Sequence, residues 1–272
     1  MTYVLFFLQV LWYTLGAVVI CGLCVSLCRK LFVSMMGGGF GRGIVMATSV
    51  VGTPIHELGH AIMCILFGHT ITKMSLWQPF SEDGNLGYVT HAYRPRNPYH
   101  VLGNLFIGIG PIFSGLGVLT LALMLGFPDT FTAYSTTAAA MANGGEGGLP
   151  LFLEGLKMLP RMVEEAGSGT AVPVWGRVIA VLVILSVAQH ISLSPADIKG
   201  SLKAIPLYLV LVLILTLVCA LIGQSAMEAV TAALARFSAY LAALFVIVLV
   251  SSLLQLAVAL PVWLIRKLLG RR

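Results

Sequence analysis

Charge is what this sequence has least of. Its 272 residues include 16 Lys and Arg and 10 Asp and Glu, so 10% are charged where soluble domains carry about a quarter. Apolar side chains make up 58% and the mean hydropathy is +0.98, which together exclude a cytosolic globule. Polar blocks are also scarce, and none is long enough for a separate soluble recognition module. A cysteine framework is missing too. Cys21, Cys24, Cys28, Cys64 and Cys219 all fall inside apolar runs, as small packed residues do, and the C-x-x-C at Cys21 and Cys24 has no thioredoxin-like surroundings. The net charge of +6 flanks apolar runs instead of clustering on one face, so it speaks for lipid headgroups and topology and against a nucleic-acid partner. No basic leader or small-residue cleavage site frames the first apolar run, which therefore reads as a retained helix.

What the chain has in excess is apolar runs. A helix crosses a bilayer with about 20 residues, and runs at 3–28, 43–67, 101–126, 174–193, 205–222 and within 226–265 predict an all-α polytopic membrane protein of about six transmembrane helices. The last run is too long for one untilted crossing and predicts a surface helix followed by the sixth span. Between spans two and three, 70–78 and 86–93 read as extended segments around the turn signal Ser81-Glu82-Asp83-Gly84-Asn85, predicting a small β-hairpin over 70–93. Arg29, Lys30 and Arg42 bound a turn at Gly37-Gly38-Gly39. Span three carries Gly108, Gly110, Pro111 and Gly115, which allow either close helix packing or a functional break. The stretch 127–173 reads as extramembrane, with an interfacial amphipathic helix over 149–163. The chain thus divides into three regions: 1–42, the first helix and its basic loop; 43–203, a core of spans two to four; and 204–272, the C-terminal helices. No long repeat or pair of symmetry-related broken helices points to a transporter.

Ionisable groups at membrane depth are costly, so the run His56-Glu57-Leu58-Gly59-His60 in span two calls for a function. At 3.6 residues per turn, His56 and His60 lie at i and i+4 on one face, close enough for both imidazoles to bind one metal ion, with Glu57 on the adjacent rim as general base. Two imidazoles, a carboxylate and an open position suit zinc, one ion per chain. An even number of crossings brings spans two and four out on the same side, so the segment from His190 to Asp197 can share a site with the turn from His56 to His60. It offers two candidate ligands. Asp197 has the right chemistry, but Ser194-Pro195-Ala196-Asp197 also reads as a helix N-cap with its N3 acid. His190 is the rival, either as ligand or as a partner that orients one. Asn104 in span three is a candidate for positioning substrate or an oxyanion, against the commoner role of helix–helix hydrogen bonding. His69, His91 and His100 read as headgroup-level residues. The hairpin offers a strand edge to which an unwound substrate segment can pair, since a helix cannot present its peptide bonds for hydrolysis.

Thr53-Pro54-Ile55-His56-Glu57-Leu58-Gly59-His60-Ala61 resembles the active-site helix of the site-2 protease group of intramembrane metalloproteases. The stretches Gly87-Tyr88-Val89 and Gly103-Asn104-Leu105-Phe106-Ile107-Gly108-Ile109-Gly110-Pro111 are similar to segments C-terminal to that motif in bacterial relatives, and the resemblance covers about residues 44–203. It implies a three-helix catalytic core in spans two to four, with Asp197 as the zinc-ligating aspartate. It implies, too, a zinc-dependent endopeptidase that cleaves membrane proteins or peptides within or beside the bilayer, in a bacterial cytoplasmic membrane. The group's usual L-D-G or N-P-D-G segment is replaced here by the sequence from His190 to Gly200. A slight excess of basic residues on the side of both termini points to cytoplasmic ends. The competing expectation is a non-catalytic membrane pseudoprotease or binding protein built on the same core. Zinc proteases of the E-x-x-x-D type are disfavoured, since that pattern does not occur in the chain.

Overall fold

The computed structural model describes residues 2–81, 84–144, 149–168 and 172–269. Glu82 and Asp83 of the turn signal, Glu146, and the basic pair Arg271 and Arg272 lie outside them. The architecture is helical, with one two-stranded sheet: α1 (Tyr3–Leu11), a π-helical turn (Trp12–Gly16), α2 (Ala17–Met36), α3 (Gly38–Leu66), β1 (Thr70–Ser75), β2 (Tyr88–Ala92), α4 (Pro98–Gly126), α5 (Pro128–Gly144), α6 (Leu149–Leu156), α7 (Met158–Gly167), α8 (Val174–His190), α9 (Pro195–Leu202), α10 (Ile205–Ile222) and α11 (Gln224–Leu268). The expected all-α membrane protein with a small hairpin between spans two and three is what forms.

Five of these helical segments are long and apolar enough to cross a membrane, and α8 with α9 makes a sixth if a pair bent by 58° counts as one span. Three expected boundaries are corrected. The first span runs from Tyr3 to Met36 and contains Arg29 and Lys30, because nothing breaks the helix until Gly37, whose φ of +87° suits glycine. The last run is one unbroken 45-residue helix, with Pro261 inside it, instead of a surface helix and a span. The amphipathic segment 149–163 splits at Lys157 into α6 and α7. There Glu154 at the end of α6 takes Lys157 and Arg161 at 2.7 and 2.8 Å, and the lysine, above all, holds its carboxyl below the usual carboxylate range.

The main core is the contact of α4 with its neighbours, built on Ile112, Leu116, Leu119 and Leu123 and continued through Val187 of α8 and Val248 of α11. Tyr134 of α5 joins it by donating its hydroxyl to the Ala243 carbonyl of α11 at 2.6 Å. Helices α3 and α4 approach closely because glycines face each other. A Cβ on Gly59 would lie 2.7 Å from the Gly110 carbonyl, and one on Gly108 would lie 2.6 Å from the carbonyl oxygen of Asp197. Span three is therefore a packing helix that runs without interruption through Gly110 and Pro111. The strands pair antiparallel, Thr70 with Ala92 through Ser75 with Tyr88, with an irregularity between Ile71 and Lys73. The turn beyond is fastened to α3: Trp77 Nε1 donates to Ser49 Oγ at 2.9 Å, and Gly87 packs where a Cβ would lie 2.8 Å from the Glu57 side chain.

Candidate metal centre

The C-terminal half of α3 holds His56 and His60 with their Nε2 atoms 3.2 Å apart. What aims the two rings is main-chain chemistry from other helices. His56 Nδ1 donates to the His190 carbonyl at the C-terminal end of α8, and His60 Nδ1 donates to the Ile107 carbonyl of α4, each at 2.7 Å. Both carbonyls are available for a reason. The last carbonyls of a helix have no intrahelical donor. Ile107 lies four residues before Pro111, which has no N–H to give it. A carbonyl oxygen only accepts, so both rings carry their proton on Nδ1 and turn the lone pair of Nε2 towards the same point.

Asp197 completes the group. Its Oδ1 lies 3.1 Å from His60 Nε2 and its Oδ2 lies 3.6 Å from His56 Nε2. The cap reading of this residue holds as well. Oδ2 accepts the Ser194 amide at 2.7 Å while Ser194 Oγ accepts the Asp197 amide at 3.2 Å, a capping box that opens α9. A carboxylate has two oxygens, so the cap that fixes its rotamer leaves Oδ1 facing the imidazoles. The bend between α8 and α9 makes this geometry, since it sets the His190 carbonyl over His56 and the first turn of α9 beside both rings. The three ligand atoms all lie within 4.8 Å of one another, and among the described residues this is the one group of His, Cys, Asp and Glu so placed to hold a metal ion. Two outward-pointing lone pairs and an anionic oxygen converging on one point fit a divalent cation, and the hydrogen bonds on Nδ1 are those that ligating histidines normally make.

Glu57 lies beside the pair and is buried. A cleft of about 310 Å³ opens over Glu57 and the three ligands, walled by Asn104 and Gly108 of α4 and by Tyr88, Val89 and His91 of β2. Two larger cavities are lined by apolar side chains and carry no such chemistry, and one of about 320 Å³ lies apart from the ligands among Asp129, Arg161, Glu164 and Glu165. Asn104 stands in the cleft wall with its amide nitrogen turned to the Val101 carbonyl of its own helix at 3.2 Å. The His190 ring points away from the three ligands. It lies against Gly52 of α3, and its Nδ1 donates to the Ser186 carbonyl at 2.9 Å, so its contribution to the group is its main-chain oxygen. Unforeseen from sequence were the carbonyls of Ile107 and His190 and a contact among His69, His91 and His100 at the root of the hairpin. Pro111 was the one visible signal for the first of these.

Comparison with known proteins returns nothing similar: no family model, no curated protein and no solved structure matches the chain.

Proposed function

We propose that this protein is a membrane-embedded zinc endopeptidase, in which His56, His60 and Asp197 hold the ion and Glu57 is the general base. The observation that carries this reading is the convergence of three ligand atoms, with the buried Glu57 beside them, at the floor of a cleft. Zinc suits two imidazoles with a carboxylate, and when bound it supplies a Lewis acid and a water acidic enough to ionise near neutral pH. The protein's own groups account for the rest. Glu57 takes a proton at its carboxylate and returns it to the departing amine, and the main-chain acceptors on His56 and His60 keep the rings from turning. Gly87 packs against the side chains of Glu57 and Thr53, where any larger residue would collide with the base. The substrate is a stretch of membrane protein or peptide, drawn out as a strand along the edge of β2, since Tyr88, Val89 and His91 border the cleft.

Replacement of Glu57 by Gln keeps one zinc per chain and lowers turnover by about 10²–10⁴-fold, as expected when only the base is lost. In contrast, His56→Ala loses the metal. Turnover that survives Glu57→Gln, or a folded wild-type protein that takes up no zinc, overturns the assignment. The second of these outcomes favours the non-catalytic binder.

A further inference from the structure

Three histidines at the edge of the cleft take no part in this chemistry. His69 comes just after α3, His91 lies on β2 and His100 is in the first turn of α4. The His69 ring stacks on those of Tyr93 and His100, with centroids 5.0 and 5.5 Å apart. It is buried, with Nε2 at 2.8 Å from the His100 carbonyl oxygen and Nδ1 at 2.9 Å from Nδ1 of His91. The order of protons along these three groups is set by chemistry alone. The carbonyl can only accept, so His69 carries its proton on Nε2. A neutral ring then has a lone pair on Nδ1, and the proton shared between the two rings belongs to His91. With its Nδ1–H given to His69, His91 keeps an acceptor at Nε2, on the far edge of a ring that lines the cleft. A histidine side chain free in water favours the opposite tautomer, so His69 is what imposes this one. Burial, with smaller contributions from His69, His60 and Lys203, pushes His91 down to about 4, and burial also lowers His69. Both rings are therefore neutral at pH 7 and the order of protons persists.

We propose that His91 is a substrate-binding residue whose Nε2 accepts a hydrogen bond from a hydroxyl or carboxamide side chain of the segment lying along β2, with His69 as the positioning residue that fixes its tautomer. This rests on the reading of the cleft as a peptide site and adds selectivity to it. A wholly apolar segment leaves an acceptor desolvated and unpaired, whereas Ser, Thr or Asn at the facing position satisfies it, so spans carrying such a residue are preferred.

The test uses zinc-loaded, full-length protein carrying Glu57→Gln in lipid nanodiscs, labelled with ¹⁵N-histidine. Long-range ¹H–¹⁵N spectra at pH 7 are expected to show the Nδ1–H form of His91. In His69→Phe, which keeps the stacked ring and removes the acceptor, His91 changes to the Nε2–H form. Two synthetic single-span Leu/Ala peptides with a central Gly pair, one flanked by Ser and one by Ala, are then titrated in. The Ser peptide is expected to bind about tenfold more tightly, the worth of one hydrogen bond at a buried acceptor, and His91→Phe abolishes the difference. An Nε2–H form in the parent, a tautomer indifferent to His69→Phe, or a preference that survives His91→Phe overturns the proposal. Binding of neither peptide removes the peptide-site reading and this proposal together. Binding as expected, without cleavage by the protein that retains Glu57, removes the hydrolase reading and leaves His91 in place.

Discussion

Pro111 shows how a residue that never touches the metal centre shapes it. By lacking an N–H it leaves the Ile107 carbonyl to His60, and that hydrogen bond decides which ring nitrogen is free to bind an ion. Pro111→Ala supplies a competing intrahelical donor. It is expected to weaken metal binding by about tenfold, the lower end of what loss of a supporting hydrogen bond costs a metal site, measured by competition with a chromogenic chelator, while helix content stays the same. At this scale the sequence was informative wherever chemistry is local. His56, Glu57 and His60 lie within one turn of one helix, so their spacing alone put them on a shared face. Asp197 was harder, because ligand and N3 cap ask for the same residue type at the same place, and only the direction of its two oxygens separates the roles. For His190 the sequence drew attention to a ring, whereas the group that matters is the carbonyl that every residue has.

Between elements, the decisive contact is α3 against α4, where Gly59 meets Gly110 backbone to backbone. Any side chain there drives the helices apart and carries the Ile107 carbonyl away from His60. Gly59→Val is expected to cost about 1–3 kcal/mol, as overpacking of a tight contact does, and to raise the zinc dissociation constant; thermal unfolding with and without added zinc reads both. The hairpin has a different division of labour. One edge of β2 pairs with β1 and the other is without a strand partner among the described residues, so backbone N–H groups along Tyr88–Ala92 serve the fold and the outer edge in turn. Proline at each position in succession should sort them into two sets. One set loses the hairpin; the other keeps the fold and its zinc but cleaves poorly, with the deficit in KM when substrate concentration is varied. The sequence foretold the strands because turn residues and alternation are local signals. It missed the seat of the turn on α3, which depends on Trp77 reaching Ser49 from 28 residues away.

For the molecule as a whole, the outer helices matter through what they touch. The 45 residues of α11 span about 68 Å at 1.5 Å each, roughly twice the hydrocarbon thickness of a bilayer. Its C-terminal third is tied to α8 by polar groups: Gln189 donates to Gln255, and Gln255 Nε2 donates to the Leu185 carbonyl at 3.1 Å. The length of this run was plain in the sequence, but its continuity was not. No glycine interrupts it between Gln224 and Leu268, and the helix runs on through Glu228, Arg236 and Pro261.

Because Gln189 immediately precedes the residue whose carbonyl steadies His56, a hydrogen bond to α11 lies one residue from the support of that ring. On the function proposed above, acyl-chain length then becomes a variable of the reaction. In bilayers made from phosphatidylcholines of about 14 to 22 carbons at constant zinc, the rate of cleavage is expected to pass through a maximum, while detergent-solubilised protein shows no such dependence.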